Sequence, residues 1–254
     1  MNRLTPRIMS RVGSCFLSLV FLVSCSPETE HTYFPLDGGR WHYAITITPG
    51  YEVKETMRSI RESLPLTDVT RIEGASETSA GVPVLYENVL PIRHENDTLY
   101  YYRANSQGIE RLAFQSSGGS ALRWEDNVRP VLRYPLQKGQ SWKTSSQTYL
   151  LVRRLPLDMG LRATEPFYMH YTIEDTQAVV SVPAGTYANC LKVRGQGKAS
   201  FIGYRGTGSI DVTIEHIDHY APHVGLIKSQ RTETSSSQLF GTNYYLMELS
   251  AYEP

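Results

Sequence analysis

Four side chains able to ligate a metal or move a proton crowd one stretch, Glu215-His216-Ile217-Asp218-His219, and His223 follows shortly after. In a strand, side chains alternate between faces, so His216 and Asp218 share one face while Glu215 and His219 share the other. A three-ligand site would then need His223 to fold back or another strand to contribute. The expected reading is a solvated strand end beside a turn, and no metal is assigned. A serine nucleophile of the α/β-hydrolase type sits in G-x-S-x-G, and Gly118-Gly119-Ser120-Ala121-Leu122 lacks the second glycine. Gly195-Gln196-Gly197-Lys198-Ala199 matches only the end of a phosphate loop, since residue 192 is Lys where Gly is required and residue 199 is Ala rather than Ser or Thr. Glu174 and Asp175 are adjacent and point to opposite faces of a strand, so no glycosidase pair is visible. His31, His42, His94 and His170 stand isolated. No catalytic residue and no cofactor is assigned, and the chain is expected not to be an enzyme.

The elements that carry these residues read as strands. Most of the chain alternates with period two and is rich in Tyr, Val, Ile and Thr. Thr98 to Arg103, a turn over 104–108 and Ile109 to Phe114 make a hairpin. Asp211 to Tyr220 and Leu239 to Tyr252 are further strands, the second closing the domain. Helical periodicity is scarce; Tyr51 to Leu64 could form a helix, although Tyr51, Val53, Thr56 and Ile60 fit neither period well. Residues 155–166, bounded by two prolines, read as a long loop. The seventeen tyrosines, Tyr100-Tyr101-Tyr102 and Tyr244-Tyr245 among them, read first as sheet and core residues and second as an aromatic binding surface.

One motif occurs twice. Phe34-Pro35-Leu36-Asp37-Gly38-Gly39-Arg40-Trp41 matches Tyr134-Pro135-Leu136-Gln137-Lys138-Gly139-Gln140-Ser141-Trp142 in the order aromatic, Pro, Leu, Gly, Trp. In both copies Pro and Gly make a turn and Trp opens a strand. The fold expected is mostly β, with antiparallel sheets in two related modules, 33–132 and 133–254, as a curved sheet or half-open barrel.

Residues 1–24 read as a signal peptide. Arg3, Arg7 and Arg11 precede the mostly apolar run Val12 to Val23, and polar residues follow directly after Cys25, so the run is too short to span a bilayer. Leu22-Val23-Ser24-Cys25 resembles the lipobox of bacterial lipoproteins. That resemblance implies cleavage between Ser24 and Cys25 and acylation of Cys25, with palmitate among the chains carried, and two or more acyl chains anchor stably. Residues 25–32 are then a short lipidated tether. Ser26, where aspartate would mean retention, implies the outer membrane by the sorting rule of diderm bacteria. The chain balances 25 Lys+Arg against 25 Asp+Glu, and loss of the leader removes three arginines to leave a net of −3. Neither balance suits a nucleic-acid binder. Of three cysteines, Cys15 leaves with the leader and Cys25 is acylated, so Cys190 is expected as a buried small hydrophobe.

Val182-Pro183-Ala184-Gly185-Thr186-Tyr187 followed by Tyr220-Ala221-Pro222-His223-Val224-Gly225-Leu226-Ile227-Lys228 resembles an uncharacterised family of bacterial envelope lipoproteins. Its members pair V-P-A-G-T-[FY] with a later A-P-x-V-G-x-[IV]-K segment. The family pattern has Trp where this chain has His219. The resemblance implies a secreted β-sheet domain, similar to the half-open barrels of lipoprotein carriers, and supplies no catalytic residue. Pro183, Gly185, Tyr187, Pro222 and Gly225 read as turn and strand-start positions. Two functions fit. The first is a lipid-anchored lipoprotein of the outer membrane, facing the periplasm, with a non-catalytic structural or protein-interaction role. The alternative is a carrier or sensor that holds an apolar or lipid ligand in a curved sheet. Its partners would be the membrane, through the lipid on Cys25, and an envelope protein or apolar ligand. A curved sheet around a cavity of several hundred Å³ would favour the second, and a filled core the first.

Overall fold

Alternation fixes the first strand. Trp41, Tyr43, Ile45 and Ile47 are buried, while His42, Ala44, Thr46 and Thr48 between them are half-buried, the period-two pattern of a sheet with one inward face. The computed structural model describes residues 31–35, 38–50, 54–64, 72–74, 84–86, 89–94, 97–118, 121–148, 150, 162–163, 167–202, 209–238 and 240–254. A short 3-10 turn, His31–Tyr33, leads in. The strands are β1 (Arg40–Thr48), β2 (Glu55–Ser63), β3 (Ile72–Gly74), β4 (Val84–Tyr86), β5 (Val89–Arg93), β6 (Leu99–Asn105), β7 (Gly108–Gln115) and β8 (Arg123–Arg133). They continue with β9 (Ser141–Ser145), β10 (Arg162–Ala163), β11 (Tyr168–Val182), β12 (Gly185–Ile202), β13 (Ser209–Ala221), β14 (Gly225–Ser235) and β15 (Thr242–Glu253). Among the described residues no helix is long and apolar enough to cross a membrane.

Thirteen strands form one antiparallel sheet in the order β8-β7-β6-β5-β2-β1-β15-β14-β13-β12-β11-β9, with β10 attached to β12; β3 and β4 pair separately. The first half of the chain meanders outward from β1 to the edge at β8, the second meanders inward from the edge at β9, and the halves join where β1 pairs with β15 from Arg40 opposite Glu253 to Thr48 opposite Tyr244. The first and last strands therefore meet in the middle of the sheet. Its two edges, β8 and β9, are consecutive in sequence, and the sheet curves until they touch without closing a ladder. Leu132 of β8 and Trp142 of β9 share one core cluster with Ile109, Met169, Ile173 and Val212. The two halves expected from the repeat thus share one sheet, two of its core clusters mix residues from both halves, and residue 133 is the last of β8.

Of Tyr51 to Leu64, the described residues 54–64 form no helix. Glu55–Ser63 is β2, paired with β1 from Arg40 opposite Glu62 to Ile47 opposite Glu55. Its polar residues hide the strand pattern in the sequence, but Ser59 is buried and Met57 packs on the core around Tyr43 and Met247. Neighbour pairing outweighs local preference here. Within the loop expected at 155–166, Arg162–Ala163 pair with Ile202 and Phe201 as β10; the rest of that stretch lies outside the described residues.

Candidate ligand-binding cavity

Every one of the twelve strands on the main path turns at least one side chain into a single cavity of about 290 Å³. Phe34, Trp41, Tyr43, Tyr102, Trp142 and Tyr171 give it aromatic walls, and Phe34 and Pro35 bring the N-terminal segment into the lining. That segment is tied down, since His223 N–H donates to Thr32 O at 2.6 Å. The repeat explains two of the aromatics. Trp41 and Trp142 are each the second residue of their strand, and each stacks on the tyrosine opposite it in the neighbouring strand, Trp41 on Tyr252 at 5.6 Å and Trp142 on Tyr171 at 5.7 Å. They differ in one respect. Trp41 Nε1 donates to Val224 O at 2.7 Å, whereas the buried Nε1 of Trp142 finds no acceptor among the described residues.

One wall is a connected polar network, although Asp218 Oδ1, in ion-pair contact with His216, has no hydrogen-bond partner among the described residues. Tyr171 hydroxyl lies 3.0 Å from His216 Nδ1, and His216 Nε2 lies 2.9 Å from Ser229 Oγ and 3.1 Å from Asp218 Oδ1. Tyr220 hydroxyl donates to Asp218 Oδ2 at 3.4 Å. Burial works against the Asp218 carboxylate, yet His216 and Ser229 outweigh it and hold its pKa below the usual range. Burial, and then Asp218, push Tyr171 up to about 12 and Tyr220 well above its ordinary value. Serine, histidine and aspartate are all present, but a hydrolase relay needs serine on one imidazole nitrogen and the orienting carboxylate on the other. Here both sit on Nε2 while Nδ1 faces a tyrosine, so this cluster is not a serine-histidine-aspartate relay.

The facing wall is cationic. Arg61, Arg111 and Arg129 line it, with His94 and Tyr102 among them. Arg111 Nε donates to Glu125 Oε1 at 2.6 Å. Arg129 stands directly opposite Arg111 in the β7–β8 ladder and makes no hydrogen bond or ion pair with any described residue. Like charges placed opposite each other on one face repel. Burial, then Arg61 and Arg111, keep the His94 pKa well below its ordinary value, so this ring stays neutral.

No family model and no curated protein matches the chain. Three solved structures overlay it loosely. A Bacteroides fragilis protein named as exported, with a YmcC-like fold, is 12% identical at a TM-score of 0.30, over 86% of this chain and 96% of that one. A protein from Parabacteroides distasonis named as a lipoprotein is also 12% identical at 0.30, over 87% and 98%. A LolA superfamily protein from Nitrosomonas europaea is 8% identical at 0.24, over 89% and 90%. Overlays this loose carry no argument for this chain, and the chemistry rests on its own geometry.

The residues singled out in the sequence fall mostly outside the cavity. Pro183 lies in the two-residue link between β11 and β12, and Gly185 opens β12 with φ +142°. Tyr187 packs half-buried at the edge of the core around Cys190, Val180 and Leu249. Pro222 begins the β13–β14 turn, and Gly225, with φ +87°, closes it and also touches the cavity. Ser24 and Cys25 lie outside the described residues. Cys190 is free and fully buried, and burial pushes its thiol pKa up. Among the metal candidates, His216 and Asp218 face the cavity, while Glu215 pairs with Arg194. Gly195 and Gly197 admit side chains rather than phosphate, because a Cβ there would sit 2.5 Å from the Tyr171 ring and 2.6 Å from Met169 Sδ. Sequence reasoning missed Arg111, Arg129, Trp142 and Tyr171. The repeated tryptophan was the one available pointer.

Proposed function

We propose that this chain is a lipid-anchored envelope protein, facing the periplasm from the outer membrane, whose curved sheet holds a small amphiphilic ligand as a carrier or sensor. The observation that carries the reading is the cavity into which all twelve strands of the main path face. Its volume sits at the lower end of the 300–1,000 Å³ usual for ligand sites, and its lining mixes aromatic walls with a few convergent polar groups. The signal sequence and lipobox at Cys25 support the location, and Ser26 supports the outer membrane. With His31–Tyr33 in a turn tied to His223, residues 25–30 leave a tether that, fully extended, reaches at most about 20 Å, so an acylated Cys25 would keep the cavity close to a lipid surface.

Native mass spectrometry of the full chain purified from membranes tests this. A small bound species should remain on the parent protein and be lost from Val131→Phe, which fills the cavity from half-buried β8. Circular dichroism would check that the variant keeps its sheet. A parent that carries nothing and takes up no added dodecanol or laurate would leave the structural or protein-interaction role as the better account.

A further inference from the structure

The wall chemistry narrows the ligand further, on the reading that the cavity is a ligand site. Two donors beside the open seam lack acceptors among the described residues. One is the Arg129 guanidinium, and the other is the buried Trp142 Nε1–H, which no described oxygen reaches. Both belong to the edge strands, β8 and β9, that touch where the sheet fails to close. The carboxylates near the cavity are already engaged. Glu125 takes Arg111 at 2.6 Å, and Asp218 is held by His216 and Tyr220 on the opposite wall.

We propose that the cavity takes an anionic amphiphile, one carboxylate or phosphate on a short apolar body, with its headgroup on Arg129 and Trp142 Nε1 and its body against Trp41, Tyr43 and Met247. A guanidinium offers a planar fork that meets two oxygens of such a headgroup at once, and the indole N–H can supply a third donor. An anion there would also relieve the repulsion between Arg111 and Arg129 across the β7–β8 ladder. Burial first, and then Arg111, lower the Arg129 pKa, outweighing the opposite pull of Tyr171, Glu125 and Tyr102; Glu125 itself already bonds Arg111. The positive surroundings that keep His94 neutral favour the same sign of ligand. A neutral lipid would leave both donors unmatched in a half-buried site, and unmatched buried donors are costly.

The test offers laurate, dodecyl phosphate and dodecanol separately to the full chain in micelles and reads bound adducts by native mass spectrometry. Comparing parent with Arg129→Gln cancels the partition of each compound into the micelle. On the parent, laurate or dodecyl phosphate should bind at least tenfold more tightly than dodecanol, a difference of about 1.4 kcal/mol. Whichever anion is preferred tells a carboxylate from a phosphate ligand. Arg129→Gln should bring the preferred anion down to dodecanol while leaving dodecanol unchanged, and Arg129→Lys should restore part of the preference. Should all three bind the parent equally, the anion proposal is overturned and the cavity reading stands. If none binds, both fail. A preference that survives in Arg129→Gln also overturns the assignment, because the anion then sits elsewhere.

Discussion

His94 is the titratable group whose charge the fold opposes most plainly. It is packed 4.4 Å, centroid to centroid, from Tyr100, and burial together with Arg61 and Arg111 keeps its pKa well below the ordinary value. The unfolded chain takes up a proton near pH 6.5, while the folded chain resists it. The unfolded state therefore binds more protons as pH falls through that region, so folding stability is full above it and declines below. His219 is lowered for the same first reason, burial, and adds to the slope. Melting temperature should thus fall between pH 7.5 and 5.5, and His94→Gln should flatten part of that decline. A slope identical in parent and variant would mean the ring is solvated and protonates freely. None of this was legible in the sequence, where His94 has no spacing signal. Its environment comes from Arg61 and Arg111, residues far apart in the chain that meet only when β2 and β7 close around it.

At the scale of elements, legibility followed alternation and failed at bulges. The hairpin at β6–β7 and the strands β13 and β15 could be read because a period of two and turn residues set them. Arg129 could not, because the β7–β8 register slips between Ile109 and Glu110 and again between Arg111 and Ala113. Each slip changes which face the following residues take. Tyr102 was hidden in the same way by the slip after Tyr101. The two motif turns separate cleanly in cost. At Gly185 a Cβ would meet nothing within 4 Å, so Gly185→Ala carries only the strain of φ +142°, on the order of 1–3 kcal/mol. At Gly225 the added carbon would also come within 3.0 Å of Pro35 Cδ, next to the cavity. With about 2–4 °C of melting temperature per kcal/mol at this size, Gly185→Ala should melt a few degrees below the parent. Gly225→Ala should melt lower still and weaken ligand uptake, since Pro35 must move. Tyr187 is only half-buried, so its truncation should cost less than the roughly 3–5 kcal/mol of a fully buried aromatic. Equal melting curves for the two glycine variants would show that Pro35 is not held against the turn.

For the whole molecule, the sequence repeat and the sheet describe one design. Each copy of the aromatic-Pro-Leu-Gly-Trp motif leads into the first strand of a meander, β1 or β9. The second meander returns to the first at β15, so the first and last strands meet in the middle of the sheet while its open seam falls between the halves. Period and motif told of two β halves. That they share one sheet could not be read, because the β1–β15 pairing joins residues about two hundred positions apart. The same arrangement bears on anchoring. Tyr33 and Phe34 pack on the core between the meanders, and Pro35 lines the cavity, so the folded domain begins only about eight residues after Cys25. If the leader is cut and Cys25 acylated as proposed, the mature body has a net charge of −3 that anionic headgroups repel, and Cys25→Ala should abolish radiolabelled palmitate incorporation. It should also move the protein from the membrane pellet to the soluble fraction after a high-salt wash, with its melting temperature unchanged, because Cys25 precedes every packed residue described. A Cys25→Ala protein that still pellets with outer membrane would show that something other than the lipid holds it there, and the lipoprotein reading would have to be given up.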